Sequence, residues 1–251
     1  MSGAGEIEPL HRITKNDRGP ILVIVAYSWI VVTTIVAIIR FTLAYNQRLR
    51  FKIDDATFLL GVVLAISSSV CVHIATNGGL GKHMNLVNES GLDKMYKALY
   101  SAELIGVAAM TAAKASVVFL SDRVAPRSPR PYYLMLVLVG VWSVFSTFAI
   151  AFQCGLPSPW VTAPPICPSA AALSYPIVIL NLLTDFLLAT WILPTLWKLL
   201  METDKRVTVM VLFGSRLIVC CFEIVQLTSL GRHFRDDDIT YEYFGRTLWG
   251  L

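Results

Sequence analysis

Long uncharged apolar runs alternate with short polar connectors along this chain. Residues 1–20 are polar and mixed in charge, with Glu6, Glu8, Arg12, Lys15, Asp17 and Arg18. Pro20 opens an uncharged run over 21–39, closed by Arg40. Further apolar runs cover 57–76, 97–120, 132–152, 170–197 and 207–230. None alternates at period two, and each exceeds ordinary strand length. A span needs about 20 apolar residues. In lipid, each backbone amide must bond within its own segment, so these runs predict helices. The expected fold class is all-α: a polytopic transmembrane helix bundle with six full spans at those positions. Residues 241–251 read as the start of a seventh helix, cut short after about a third of a span. The tail over 1–20 has no apolar core and is not a signal peptide. The transmembrane domain is expected over 21–251.

Composition narrows the function classes. Of 251 residues, 55% are hydrophobic and 15% are charged, against about 25% charged in soluble domains. That excludes a disordered chain, a nucleic-acid-binding protein and a typical soluble enzyme. The lipid bilayer is the expected environment, in the plasma membrane or an endomembrane.

Loop charge sets the expected orientation. Loops one, three and five carry Arg40, Arg48, Arg50, Lys52, Arg123, Arg127, Arg130, Lys198, Lys205 and Arg206. Loops two and six carry Lys82, Lys94, Lys97, Arg232 and Arg235, and loop four carries none. The odd loops are therefore expected in the cytoplasm and the N-terminus outside or in the lumen. The tail's Arg12, Lys15 and Arg18 narrow this contrast without reversing it. The sequon Asn88-Glu89-Ser90 falls in loop two, where glycosylation would occur. Cys154 and Cys167 share loop four on the same oxidising side, and a disulfide between them is expected over two free thiols. Cys71, Cys220 and Cys221 lie inside apolar runs and read as buried thiols.

Ionisable residues inside spans are costly and therefore informative. They are Glu103, Lys114, Asp185, Arg216 and Glu223. At 1.5 Å per residue, Arg216 lies roughly 14 Å and Asp185 roughly 18 Å from the cytoplasmic ends, which predicts an Asp185–Arg216 pair. Lys114 lies about 9 Å deep, with Asp54 and Asp55 as its nearest expected partners. Glu103 and Glu223 lie about 25 Å in and could line an outer vestibule. Ion pairs that fix helix order explain Asp185 and Arg216 well enough. Glu103 and Glu223 have no evident basic partner and are the better candidates for a ligand site. Asn181, Thr184 and Asp185 share one face of helix five, where interhelical hydrogen bonding is their commoner use.

Other motifs are weaker. Asp122-Arg123 is similar to the acidic-Arg pair of G-protein-coupled receptors but lacks the following Tyr, and reads as an ordinary charged helix end. The 79–83 stretch, Gly-Leu-Gly-Lys-His, lacks the strand and Ser/Thr of a phosphate loop and reads as a flexible turn. Asp236, Asp237 and Asp238 read as solvated loop charge. The four histidines, His11, His73, His83 and His233, show no zinc spacing, so no metal site is expected.

The order and spacing of several pieces resemble the fungal rhodopsin-like integral membrane domain. They are Asp54-Asp55, the 79–83 stretch, Lys114 with Ser116, Phe152-Gln153-Cys154 with Trp160 and Cys167, Asn181, Thr184, Asp185, Leu193-Pro194 and Arg216. The likeness runs from about residue 16 to the end. That family includes satratoxin-cluster membrane proteins and surface-sensing receptor-like proteins. The resemblance implies seven helices and a receptor-like protein, sensing a small molecule or accessory to secondary metabolism, with a cytoplasmic signalling partner. Glu103, Lys114, Asn181, Asp185, Arg216 and Glu223 are the expected polar core or ligand site. No cofactor is expected. Retinal would need a Schiff-base Lys in the last helix, and the last Lys is Lys205, before helix six. The alternative is an intramembrane enzyme, such as an isoprenoid cyclase using Glu103, Glu223 or Asp185 as a buried general acid. Asp-rich magnesium motifs are absent from the sequence, so the non-enzymatic reading is preferred. A transporter ranks last, because no internal repeat is visible.

Overall fold

A computed structural model describes residues 18–46, 50–82, 87–124, 129–155, 158–161 and 169–198, with Cys220, Cys221, Ile224 and Thr247 as isolated positions. Five helices are described: α1 (Gly19–Asn46), α2 (Ile53–Asn77), α3 (Glu89–Val124), α4 (Pro129–Ala151) and α5 (Ser169–Lys198). All five are long and apolar enough to cross a membrane. Each is longer than its apolar run, because the polar residues at the run's ends continue the helix. The expected sixth span at 207–230 and the partial seventh at 241–251 lie outside the described residues, apart from those isolated positions.

Each helix packs on its neighbour in sequence, and α3 also touches α5. The α2–α3 contact is the most extensive, and its cause is small residues. A Cβ on Gly61 would lie 3.4 Å from the Ala113 nitrogen, so the two backbones nearly touch. Two turns further along α2, Ser68 Oγ donates to the Ala102 carbonyl at 2.9 Å. Small side chains let helices approach closely in lipid, where dispersion and hydrogen bonds drive association.

The opposite face of α3 is bulkier. Val107 packs with Trp142 and Ile150, and Val118 with Met135, Val139 and Leu188. Thr111 Oγ1 meets Ser143 Oγ at 2.9 Å between α3 and α4. Large apolar side chains such as Ile35 and Ile38 on α1, and Val141 and Phe148 on α4, are exposed, as a lipid-facing surface requires. Polar side chains turn inward instead: Asp54, Lys114, Ser116 and Asp185 are all buried.

The turn after α2 is well held, which corrects its reading as flexible. Gly79 and Gly81 have φ of +116° and +90°, a region L side chains avoid. Between them Leu80 drops into a cluster with Leu22, Ala75, Met95, Tyr96 and Leu99. The Gly81 carbonyl accepts from the Arg18 amide at 3.0 Å, fastening the start of α1. Trp160 and Val161 of loop four cover the same cluster. Trp160 Nε1 donates to Asp93 Oδ1 at 3.2 Å, and Lys97 Nζ sits 5.1 Å from the Trp160 ring while pairing with Asp93 at 2.7 Å.

The cysteines divide. Cys71 is a half-buried free thiol and Cys220 is buried, but Cys221 is exposed, contrary to expectation. Cys154 is buried and stands apart from the free thiols. Cys167 lies outside the described residues. Asn88 is exposed just before α3.

Candidate functional site

Two buried charge systems lie on opposite faces of α3. The deeper one centres on Lys114. Its Nζ reaches Asp185 Oδ2 at 2.8 Å, Thr184 Oγ1 at 2.8 Å and the Asn181 carbonyl at 3.2 Å. An ammonium has three N–H donors, and three acceptors on α5 meet them. Thr184 Oγ1 in turn donates to the Asn181 carbonyl at 2.8 Å. The side chains of Lys114 and Asp185 are 2% and 5% exposed. From α4, the Trp142 ring lies 4.7 Å from Lys114 Nζ, within cation–π range. That ring is oriented by its Nε1–H, directed at the Ile177 carbonyl at 3.4 Å. Three helices thus meet at one cation.

Asn181, Thr184 and Asp185 are buried together on one face of α5. The expected pairing of Lys114 with Asp54 and Asp55 does not hold. A helix ending at residue 120 would leave Lys114 near the surface. α3 instead continues to Val124, so Lys114 lies ten residues, about 15 Å, from its end. Asp185 lies thirteen residues, about 20 Å, from the end of α5. The long lysine stem closes the remaining difference. The expected Asp185–Arg216 pair involves a residue outside the described ones; the cation found on Asp185 is Lys114. Glu103 is half-buried on α3, about three turns from Lys114, and does not join this node. Glu223 lies outside the described residues.

The second system sits at the end of the bundle bearing loops one and three. Arg123 Nη1 contacts Asp54 Oδ2 at 3.0 Å and Asp55 Oδ2 at 3.2 Å. Arg40 Nη2 contacts Asp54 Oδ2 at 3.5 Å and Asp55 Oδ1 at 3.4 Å. Arg123 Nη2 also donates to the Arg50 carbonyl at 3.1 Å. Ser116 Oγ donates to the Asp54 carbonyl at 2.9 Å. The Arg40 guanidinium lies 4.3 Å from the Phe58 ring centre. Two cations and two anions, all partly or wholly withdrawn from solvent, tie α1, α2 and α3 together. Arg123 is therefore more than an ordinary charged helix end.

Arg40, Arg123 and Trp142 are site residues that the sequence reading passed over. Arg123 lies seven residues after Ser116, so the two share a face of α3, which was a readable signal. Trp142 carried a weaker one. A Trp in mid-span, away from the interfaces that usually hold this residue, asks for a partner for its ring.

Among the described residues no cluster of three His, Cys, Asp or Glu side chains could hold a metal. Residues 39–251 match the family model of the fungal rhodopsin domain, a stretch that includes both charge systems. No curated protein and no solved structure matches the chain.

Proposed function

The chain belongs to the fungal rhodopsin domain family, and from that premise we propose a multi-pass, receptor-like membrane protein whose Lys114 node senses a small molecule. The observation that carries this reading is a fully hydrogen-bonded ammonium buried where α3, α4 and α5 converge. In this reading the node exchanges between a paired and an unpaired arrangement. A ligand that alters the packing of Trp142 or α5 would bias one against the other. The reading carries no retinal, because that cofactor would need a Schiff-base Lys in the last helix and Lys114 is on α3. An isoprenoid cyclase is less well supported at Asp185, whose carboxylate accepts from Lys114 and is not arranged to protonate an alkene.

The same reading includes a bundle completed by a span over 207–230 and by further helical sequence at 241–251. It includes a lumenal or external N-terminus, a glycan on Asn88 and a Cys154–Cys167 bridge. The exposure of Asn88 is compatible with the glycan.

The test is a distance measurement between spin labels at Asp122 on α3 and Phe186 on α5, both exposed. Asp185→Asn should shift the distance distribution while helix content stays constant. An unchanged distribution in a folded variant would make the node a fixed anchor and sink the sensing role.

A further inference from the structure

The end of the bundle bearing loops one and three holds two populations of cations. Arg40 and Arg123 are consumed by Asp54 and Asp55. Arg50, Lys52 and Arg130 are exposed, and their side chains have no carboxylate partner among the described residues. Asp54 and Asp55 are thus neutralised inside the bundle, and among the described residues exposed Asp122 is the acid left at this end. Beside these three cations stand exposed aromatics at the same level: Tyr45 (84% exposed), Phe51 (64%) and Tyr133 (62%). Phe51 stacks near Phe41 with ring centres 6.5 Å apart, which holds the loop-one backbone against α1. Amphipathic aromatics mark the depth of the headgroup region, and cations just beyond it face lipid phosphates.

We propose that Arg50, Lys52 and Arg130 form a binding surface for anionic phospholipid headgroups, with Tyr45, Phe51 and Tyr133 seating it in the interface. The Arg123–Asp54–Asp55–Arg40 cluster supports this surface from within. By bonding the Arg50 carbonyl, Arg123 fixes the loop that presents Arg50 and Lys52. At the opposite end Lys97 is held by Asp93 and Trp160, and Lys94 stands exposed beside them.

The full chain would be reconstituted in bilayer discs of phosphatidylcholine with a minor fraction of phosphatidylserine. The lipid retained on the protein after detergent extraction would then be weighed by native mass spectrometry. Wild type should retain phosphatidylserine above its bulk fraction. Each cation should contribute about fivefold. Arg50→Gln/Lys52→Gln/Arg130→Gln should return the retained lipid to the bulk ratio. Lys94→Gln, at the opposite end, should leave the enrichment unchanged. Raising the salt should weaken the enrichment in wild type and not in the triple variant. Equal enrichment in wild type and triple variant would overturn the proposal, as would an equal loss on Lys94→Gln. All four substitutions are at exposed positions, so folding is not at stake, and neither outcome depends on what the Lys114 node senses.

Discussion

Removing Lys114 should cost more than removing Asp185, and removing both should cost least. Lys114→Met leaves the Asp185 carboxylate buried without the ammonium at 2.8 Å that neutralises it. Breaking a buried pair from one side costs about 3–5 kcal/mol. A charged acid at mid-span costs about 3 kcal/mol on insertion scales, which agrees. Asp185→Asn is milder. The ammonium keeps Thr184 Oγ1 at 2.8 Å, the Asn181 carbonyl at 3.2 Å and the Trp142 face at 4.7 Å. Those contacts should hold its cost to about half that of Lys114→Met. Lys114→Met/Asp185→Leu replaces the pair by apolar groups of similar size and should fall within about 1 kcal/mol of wild type. Thermal unfolding of the purified protein in detergent is the assay. A chain of this size shifts by roughly 2–4 °C per kcal/mol on the scale of soluble domains. Lys114→Met should therefore lower the midpoint by roughly 6–12 °C or more, using the 3 kcal/mol figure. A double variant as unstable as Lys114→Met would refute the pairing as the source of the cost. Asp185→Asn proving worse than Lys114→Met would refute the claim that Thr184, Asn181 and Trp142 share the cation.

Trp142→Leu removes the ring beside Lys114 and its donor to Ile177, and should cost about 1–3 kcal/mol, read in the same melt. Gly81→Ala forces a side chain into φ +90° with its Cβ 2.5 Å from the Gly19 nitrogen. It should lower stability by about 1–3 kcal/mol and raise proteolysis at the start of α1, and a wild-type cleavage pattern would count against it. Arg123→Gln strips Asp54 and Asp55 of their shorter contacts. Hydrogen exchange should then accelerate in the first turn of α2 while α5 keeps its wild-type protection; acceleration in both would mean the two charge systems are coupled.

Much of the architecture was legible because lipid imposes a coarse rule. An apolar run of span length must be a helix, so all five described helices fall where the runs lie. The ends were less legible. Glu89, Asp93 and Lys94 interrupt the apolar pattern, yet helical bonding continues through them, and α3 begins eight residues before its apolar run. At the other end α3 passes residue 120 through Ser121, Asp122 and Arg123 to Val124. That single displacement moved Lys114 about 6 Å deeper. The role of the 79–83 stretch was hidden for another reason. Its glycines serve a turn whose packing depends on Leu22 of α1 and Trp160 of loop four, both far away in sequence.

The division of labour on α3 needed only the helical period. Ala102, Ala109, Ser116 and Arg123 recur every seven residues, and Gly106 and Ala113 flank that line. At about 100° per residue they form one narrow stripe, small-sided until it ends in a serine and an arginine. A stripe of that kind asks for a close neighbour with an acid at its far end, and α2, opening with Asp54-Asp55, supplies both. Tyr100, Val107, Thr111, Lys114 and Val118 form the other line, about 180° from Arg123 at Lys114. Because Lys114 faces away from Ser116 and Arg123, it could not have reached Asp54 or Asp55 at any depth without passing through its own helix. The acid it needs had to come from the helices on the bulky side, and there Asp185 is the acid within reach. Depth alone matched Lys114 to Asp54 and Asp55 rather than to Asp185. The angle around α3 separates them, placing the structural clamp on one side of a single helix and the candidate sensing node on the other.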